Sequence, residues 1–97
     1  MGKNLGFDPA DAAKRGTSKA MADTIRGELA ARGMTYSDLA ERTKLSRETV
    51  ARRLGMRSSL TLAEVELIAE AFDMSARDLI EAAVRRMSRA GEGLHDG

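Results

Sequence analysis

The stretch LAERTKLSRETVARRLG, Leu39 to Gly55, decides how this chain folds. Its inward candidates fall into two sets at helical spacing, Leu39, Ala40 and Thr43 before Lys44, and Val50 and Leu54 after Leu45. Ser46 is placed to cap the second helix, which leaves only Lys44 and Leu45 as the connection. Two helices joined that tightly must cross steeply rather than lie side by side. Ala40 supplies the small residue where the backbones approach, and Leu39, Leu45 and Val50 supply apolar anchors. With Val50 and Leu54 turned inward at ~100° per residue, Glu48 and Arg52 emerge on the opposite, solvent side, with Thr49 and Ala51 flanking them. Arg47 stands at the exposed N-terminal end of the same helix.

Charge is concentrated around that helix. From Arg42 to Arg57 the bases are Arg42, Lys44, Arg47, Arg52, Arg53 and Arg57, against the single acid Glu48. From Thr61 to Asp73 the balance reverses, with Glu64, Glu66, Glu70 and Asp73 and no base. The formal net charge of +1 therefore conceals one strongly positive surface, of the kind a polyanion-binding protein presents.

Outward from this centre the pattern stays helical. Residues 1–17 hold Gly2, Gly6 and Gly16 with only Leu5 and Phe7 as large apolar groups, and they read as a flexible arm containing at most a brief helix over FDPADAAKR, where Pro9 suits a first helical position. From Ser18 the residues Met21, Ala22, Ile25 and Leu29 recur at helical spacing and stop at Gly33. Thr35 with Asp38 opens the short helix before the turn. Thr61 with Glu64 opens a fourth helix, with Leu62, Val65, Ile68, Ala69 and Phe72 inward. Ser75 with Asp78 opens a fifth, in which Leu79, Ile80, Ala83, Val84 and Met87 make one apolar stripe. Residues 91–97, GEGLHDG, read as a flexible tail, leaving one domain over 18–90.

Composition narrows the function. At 97 residues the chain has room for one modest core, and with three aromatics that core is built from Leu, Ile, Val, Ala and Met, a palette that favours helix. There is no cysteine, no signal-peptide pattern and no apolar run near the roughly 18 residues a membrane span needs; a cytoplasmic protein with no membrane partner is the simplest reading. His95 has no cysteine or second histidine to share a metal with. No histidine is placed to activate a serine or threonine, and neither a Gly-rich phosphate loop nor a pair of acids in a cleft is evident. The chain thus reads as a non-enzyme without cofactor, metal or small-molecule substrate.

From about Ile25 to Leu79 the chain resembles the helix-turn-helix domains of phage Cro proteins, phage repressors and bacterial XRE-type regulators. The runs LAERTKLSRETV and LAEVELIAEAFDMS and the DLI opening the last helix carry the resemblance by their order and spacing. It implies an all-α, compact five-helix, lambda-repressor-like domain whose second motif helix enters the DNA major groove N-terminal end first. By resemblance Arg47, Glu48, Thr49 and Arg52 occupy the base-reading positions, and their chemistry suits that role. Arginine donates twice to guanine, and glutamate accepts from the amino group of cytosine. Arg42, Lys44, Arg53, Arg57 and Ser58 surround them and suit phosphates, which fix register without reading sequence. Tyr36 stands where many relatives have a backbone-touching glutamine, and Lys3, Lys14, Arg15 and Lys19 can follow the duplex from the arm.

The chain also departs from that pattern. Lys44 replaces the usual turn glycine, Arg53 a commonly apolar residue, and Met56 a glycine that often follows the third helix. An Arg–Glu pair that links the first and third helices in some relatives maps onto Leu29 and Leu54. Useful specificity needs a dimer on two half-sites ~34 Å apart, and the stripe Leu79, Ile80, Ala83, Val84 and Met87 is the candidate interface. The function implied is a sequence-specific, double-stranded-DNA-binding repressor of phage or bacterial origin. The competing reading is a protein-interaction module, such as an antitoxin or phage accessory protein, working through the acidic fourth and apolar fifth helices. At this length there is also no room for a self-cleaving protease domain.

Overall fold

A computed structural model of the chain describes the backbone of residues 9–96 and the side chains of residues 16–89. All regular structure among the described residues is helical: α1 (Pro9–Arg32), α2 (Tyr36–Thr43), α3 (Arg47–Leu54), α4 (Leu62–Ala71) and α5 (Ala76–Asp96). This is the compact five-helix, all-α architecture that the periodicity predicts. No described helix is long and apolar enough to cross a membrane.

Local chemistry sets the helix starts. The Thr35 hydroxyl accepts the Asp38 amide at 3.0 Å while the Asp38 carboxylate accepts the Thr35 amide at 2.9 Å, so two otherwise orphaned donors are satisfied reciprocally. Thr61 and Glu64 close the same box at 3.0 Å in both directions. Ser46 accepts from the Thr49 amide, and Ser75 from that of Asp78, each at 3.0 Å.

The helix ends turn on left-handed residues. Gly33 (φ 65°) ends α1, and Asp73 (φ 57°) follows α4. At both ends two backbone bonds fold the chain back onto the last turn. Gly33 and Met34 donate to Ala30 and Leu29 after α1, and Asp73 and Met74 to Glu70 and Ala69 after α4.

The core gathers one face from each helix. Ile25 and Leu29 of α1, Leu39 of α2, Val50 and Leu54 of α3, Val65 and Ile68 of α4, Phe72 just beyond it, and Leu79 of α5 form one buried cluster. α5 lies along α1 and against α4, while α2 packs on α3 and α4, and α1 reaches α3. The two-turn α3 is therefore held from behind by α1 and α2. An isolated helix of eight residues would be marginal in water, so its orientation is set by this frame.

Three sequence expectations need correction. α1 begins at Pro9, inside the expected arm, and joins the brief helix to the first helix without a break. Gly16 lies within this helix, but a lone mid-helix glycine costs only about 1 kcal/mol relative to alanine, and Ala10, Ala12 and Ala13 are strong helix formers. α5 likewise runs through residues expected to be tail, as far as Asp96. Leu62 is 65% exposed although placed inward: it keeps the angular position of the inner face but sits a turn beyond the packed core. There it borders an open apolar groove of about 300 Å³ shared with Met21, Leu60, Val65 and Ile80. Residues 1–8, including Lys3, lie outside the described residues, as do the side chains of Lys14, Arg15 and His95.

Candidate nucleic-acid interface

The turn between α2 and α3 is built from the residues that predict it. Lys44 adopts φ 67° and ψ 12°, the left-handed conformation that a turn glycine would take freely and that costs lysine about 1 kcal/mol. Thr43 is buried, yet its hydroxyl is fully employed, donating to the Leu39 carbonyl at 2.8 Å and accepting the Leu45 amide at 3.3 Å. That bracket, with Leu45 packed against the core, fixes the turn between the two helices.

With Val50 and Leu54 buried at 2% and 1% exposure, the opposite side of α3 faces solvent. Glu48, Ala51, Arg52, Gly55 and Arg57 line one shallow, open depression of about 410 Å³ on that side. Arg57 reaches it because the end of α3 folds back. Met56 (φ 67°) donates to the Arg53 carbonyl, and the Arg57 amide donates to that of Arg52 at 3.0 Å, which brings residue 57 alongside the last turn. At Gly55 a Cβ would lie 2.9 Å from the Ala51 carbonyl oxygen, so this corner is closed to larger residues. Glu48, Lys44, Arg52 and Arg57 spend no side-chain hydrogen bond or ion pair on other described residues. Arg47, also exposed, donates from Nε to the Ser37 hydroxyl at 3.1 Å, linking the N-terminal ends of α2 and α3. Thr49 is half-buried, its hydroxyl accepting from Ser46 at 2.8 Å beside the cap.

Residues 24–83 match the model of the Cro/C1-type HTH DNA-binding domain. The chain belongs to that family. The match contains the whole stretch, Ile25 to Leu79, that carries the resemblance in the sequence. No curated protein and no solved structure matches the chain. A DNA-binding transcriptional regulator is the function that membership in the Cro/C1-type family carries.

Within this Cro/C1-type domain not every base in the run from 42 to 57 faces outward. Arg53, expected at a phosphate, forms an internal ion pair in the structure. Its Nε and Nη2 meet the two Glu64 carboxylate oxygens at 2.8 and 2.9 Å, its Nη1 donates to the Ser58 hydroxyl, and the two side chains are only 18% and 12% exposed. The Arg53 guanidinium holds the Glu64 carboxyl below the ordinary glutamate value against the opposing effect of burial, and the Thr61 amide adds to this. Ser58 is half-buried as the acceptor in that pair. Arg42 is exposed and leans toward the Ala71 carbonyl at 3.5 Å, the last residue of α4. Lys19 is exposed but paired with Asp23 at 2.7 Å, and that bond is the main cause holding the Asp23 carboxyl low. Tyr36 is half-buried at the start of α2 with its ring against the core.

The proposed dimer stripe divides in two. Leu79 and Ala83, expected on the interface, are 0% and 4% exposed within this chain itself. Ile80, Val84 and Met87 remain at 36%, 52% and 40% exposure, spaced along one edge of α5.

The sequence pattern misses several framework bases. Arg26 of α1 donates to the Leu54 carbonyl, capping the C-terminal end of α3 from a neighbouring helix, and pairs with Asp23. Arg86 of α5 donates to the buried Thr24 hydroxyl at 3.2 Å, and the Arg32 guanidinium lies 5.0 Å from the Phe72 ring centre. Apart from the i,i+3 spacing of Asp23 and Arg26, no local signal marks these contacts. Leu29 and Leu54, at the positions matched to a helix-linking ion pair in relatives, are both buried, at 3% and 1% exposure.

Proposed function

We propose that this protein is a transcriptional repressor of phage or bacterial origin that occupies a two-half-site operator as a homodimer in the cytoplasm. The observation that carries this reading is the grouping of Glu48, Arg52 and Arg57 on one solvent-facing side of α3 with no competing partner among the described residues. With α3 in the major groove, the Arg52 guanidinium donates to the O6 and N7 acceptors of a guanine, and Glu48 accepts from the N4 amino group of a cytosine. Arg47 and Thr49 complete the reading edge at the N-terminal end of the helix. Lys44 and Arg57 neutralise flanking phosphates, with Arg42, Tyr36 and Ser58 at the margin, and counterion release makes affinity fall with salt. Occupancy of the site excludes the transcription machinery, and nothing in this scheme requires a metal or cofactor.

The exposed residues Ile80, Val84 and Met87 support α5 as the dimer contact, since large apolar groups on one edge of a surface helix lose water on pairing. Selection of bound sites from random duplexes tests the reading. A two-fold-symmetric site bound far more tightly than random DNA supports it, and Val84→Glu with Met87→Glu should then weaken both dimer mass and operator affinity. Weak, sequence-blind binding would instead favour the protein-interaction reading, for which exposed Leu62 and the apolar groove beside it offer a surface.

A further inference from the structure

Arg53 and Glu64 hold two helices and the turn between them in one network. The guanidinium fork meets the carboxylate fork, Ser58 accepts from the third arginine nitrogen, and Glu64 also accepts the Thr61 amide at 3.0 Å. The C-terminal end of α3, the turn carrying Arg57, and the first turn of α4 are thereby tied at four points of the chain. We propose that the Arg53–Glu64 pair is a positioning element for DNA reading: it sets the angle of α3 and the placement of Arg57 without touching DNA itself. This rests on the reading that the outer face of α3 engages DNA.

Three observations carry it. Arg53 directly follows Arg52 on α3, so a rotation of the helix carries the backbone of both through the same angle, and holding Arg53 restrains the backbone from which Arg52 projects. The turn after α3 is poorly secured by its own backbone preferences, because Met56 holds φ 67° without being glycine. Side-chain bonds across the turn compensate for that. The pair is also largely shielded from solvent, with its nitrogens facing acceptors on both sides, so Arg53 cannot reach a phosphate without giving up Glu64. Two parallel bonds fix an angle as well as a distance, which a lysine ammonium in the same place does not do.

The test uses the full chain with Glu64→Gln and Arg53→Lys, titrated on its best selected duplex and on a random duplex across a salt series. Glutamine keeps an acceptor for the Thr61 amide, so the start of α4 survives while the charge pair is lost. Thermal melts set a working temperature at which each variant is fully folded, which separates loss of position from loss of fold. Positioning predicts that both variants lose about tenfold on the selected site, the scale of one misplaced base contact, with little change on random DNA and an unchanged salt slope. A phosphate role predicts the opposite pattern. Glu64→Gln would then bind as well or better, Arg53→Lys would keep its affinity, and the inference would be overturned. A wild-type chain with no preferred site would overturn the DNA reading and this inference together. A wild type whose preference survives Glu64→Gln overturns this inference alone.

Discussion

The outer face of α3 and the frame behind it use the same residue type in two ways. On the face, Arg52 and Arg57 are exposed and bonded to no other described side chain. In the frame, Arg53 is clasped by Glu64, Arg26 caps the end of α3, and Arg86 donates to Thr24. The difference decides what a charge does: a solvated guanidinium is available to a polyanion, whereas a paired one fixes geometry. Counting bases along the chain therefore overstates the contacts DNA can receive. If the division is real, changes to the face alter binding and leave stability alone, while changes to the frame alter stability first.

The largest effect tests the frame. Leu54 is 1% exposed at the end of α3, and Leu54→Ala should cost about 2–5 kcal/mol of unfolding free energy, read by denaturant titration. That is a large fraction of the roughly 5–15 kcal/mol typical of a small domain. A loss below about 1 kcal/mol would mean the site collapses easily, and the frame would not be what orients α3.

Next comes the face. Arg52→Ala should leave stability within about 0.5 kcal/mol of wild type yet remove about 1–3 kcal/mol of discrimination between the selected site and its best mismatch. Competition binding at fixed salt reads this directly. An equal loss on selected and random DNA would turn Arg52 into a phosphate contact and blur the contrast.

How far each region is legible in the sequence follows from the range of the interactions that build it. The caps at Thr35, Ser46 and Thr61 and the turn at Lys44 are visible because each involves residues within about one helical turn. The outer face of α3 is visible because Val50 and Leu54 fix its rotation. The Arg53–Glu64 pair is hidden, since each member already has a local explanation, one as part of a basic run and the other as a capping residue. The stripe on α5 shows a related limit. Periodicity groups Leu79 and Ala83 with Ile80, Val84 and Met87, but only the positions of α1 and α4 tell which edge is buried and which is free.

Acid should act on the frame before it reaches any helix core. Glu64 is held below its ordinary value chiefly by Arg53, and Asp38 chiefly by the Thr35 amide, so both favour the folded chain while ionised. Their contribution is complete above the unfolded carboxylate range, about pH 4, and is lost as pH falls through the lower folded values. Unfolding free energy should therefore be level from neutral pH to about pH 5 and decline below that. Glu64→Gln should lower the neutral plateau and flatten the acid decline. An acid limb identical to wild type would show that the pair adds nothing to stability.

Lys44 belongs to both regions at once and gives the smallest but sharpest test. Its backbone is part of the frame, at φ 67°, where glycine would be unstrained, and its side chain is exposed among the residues assigned to phosphates. Lys44→Gly should therefore raise stability by up to about 0.6 kcal/mol, about 1 kcal/mol of left-handed strain relieved less about 0.4–1 kcal/mol for the extra freedom of the unfolded glycine. The same substitution should reduce the salt slope of operator binding by about 0.9, the counterion equivalent of one phosphate. Met56→Gly is the matched control, because it relieves the same strain at φ 67° and removes no charge. If Met56→Gly stabilises with the slope intact while Lys44→Gly changes both, strain and phosphate contact are separable at a single residue. If neither variant changes the slope, Lys44 belongs wholly to the frame, and the positive face narrows to Arg52 and Arg57 with Arg47 at its edge.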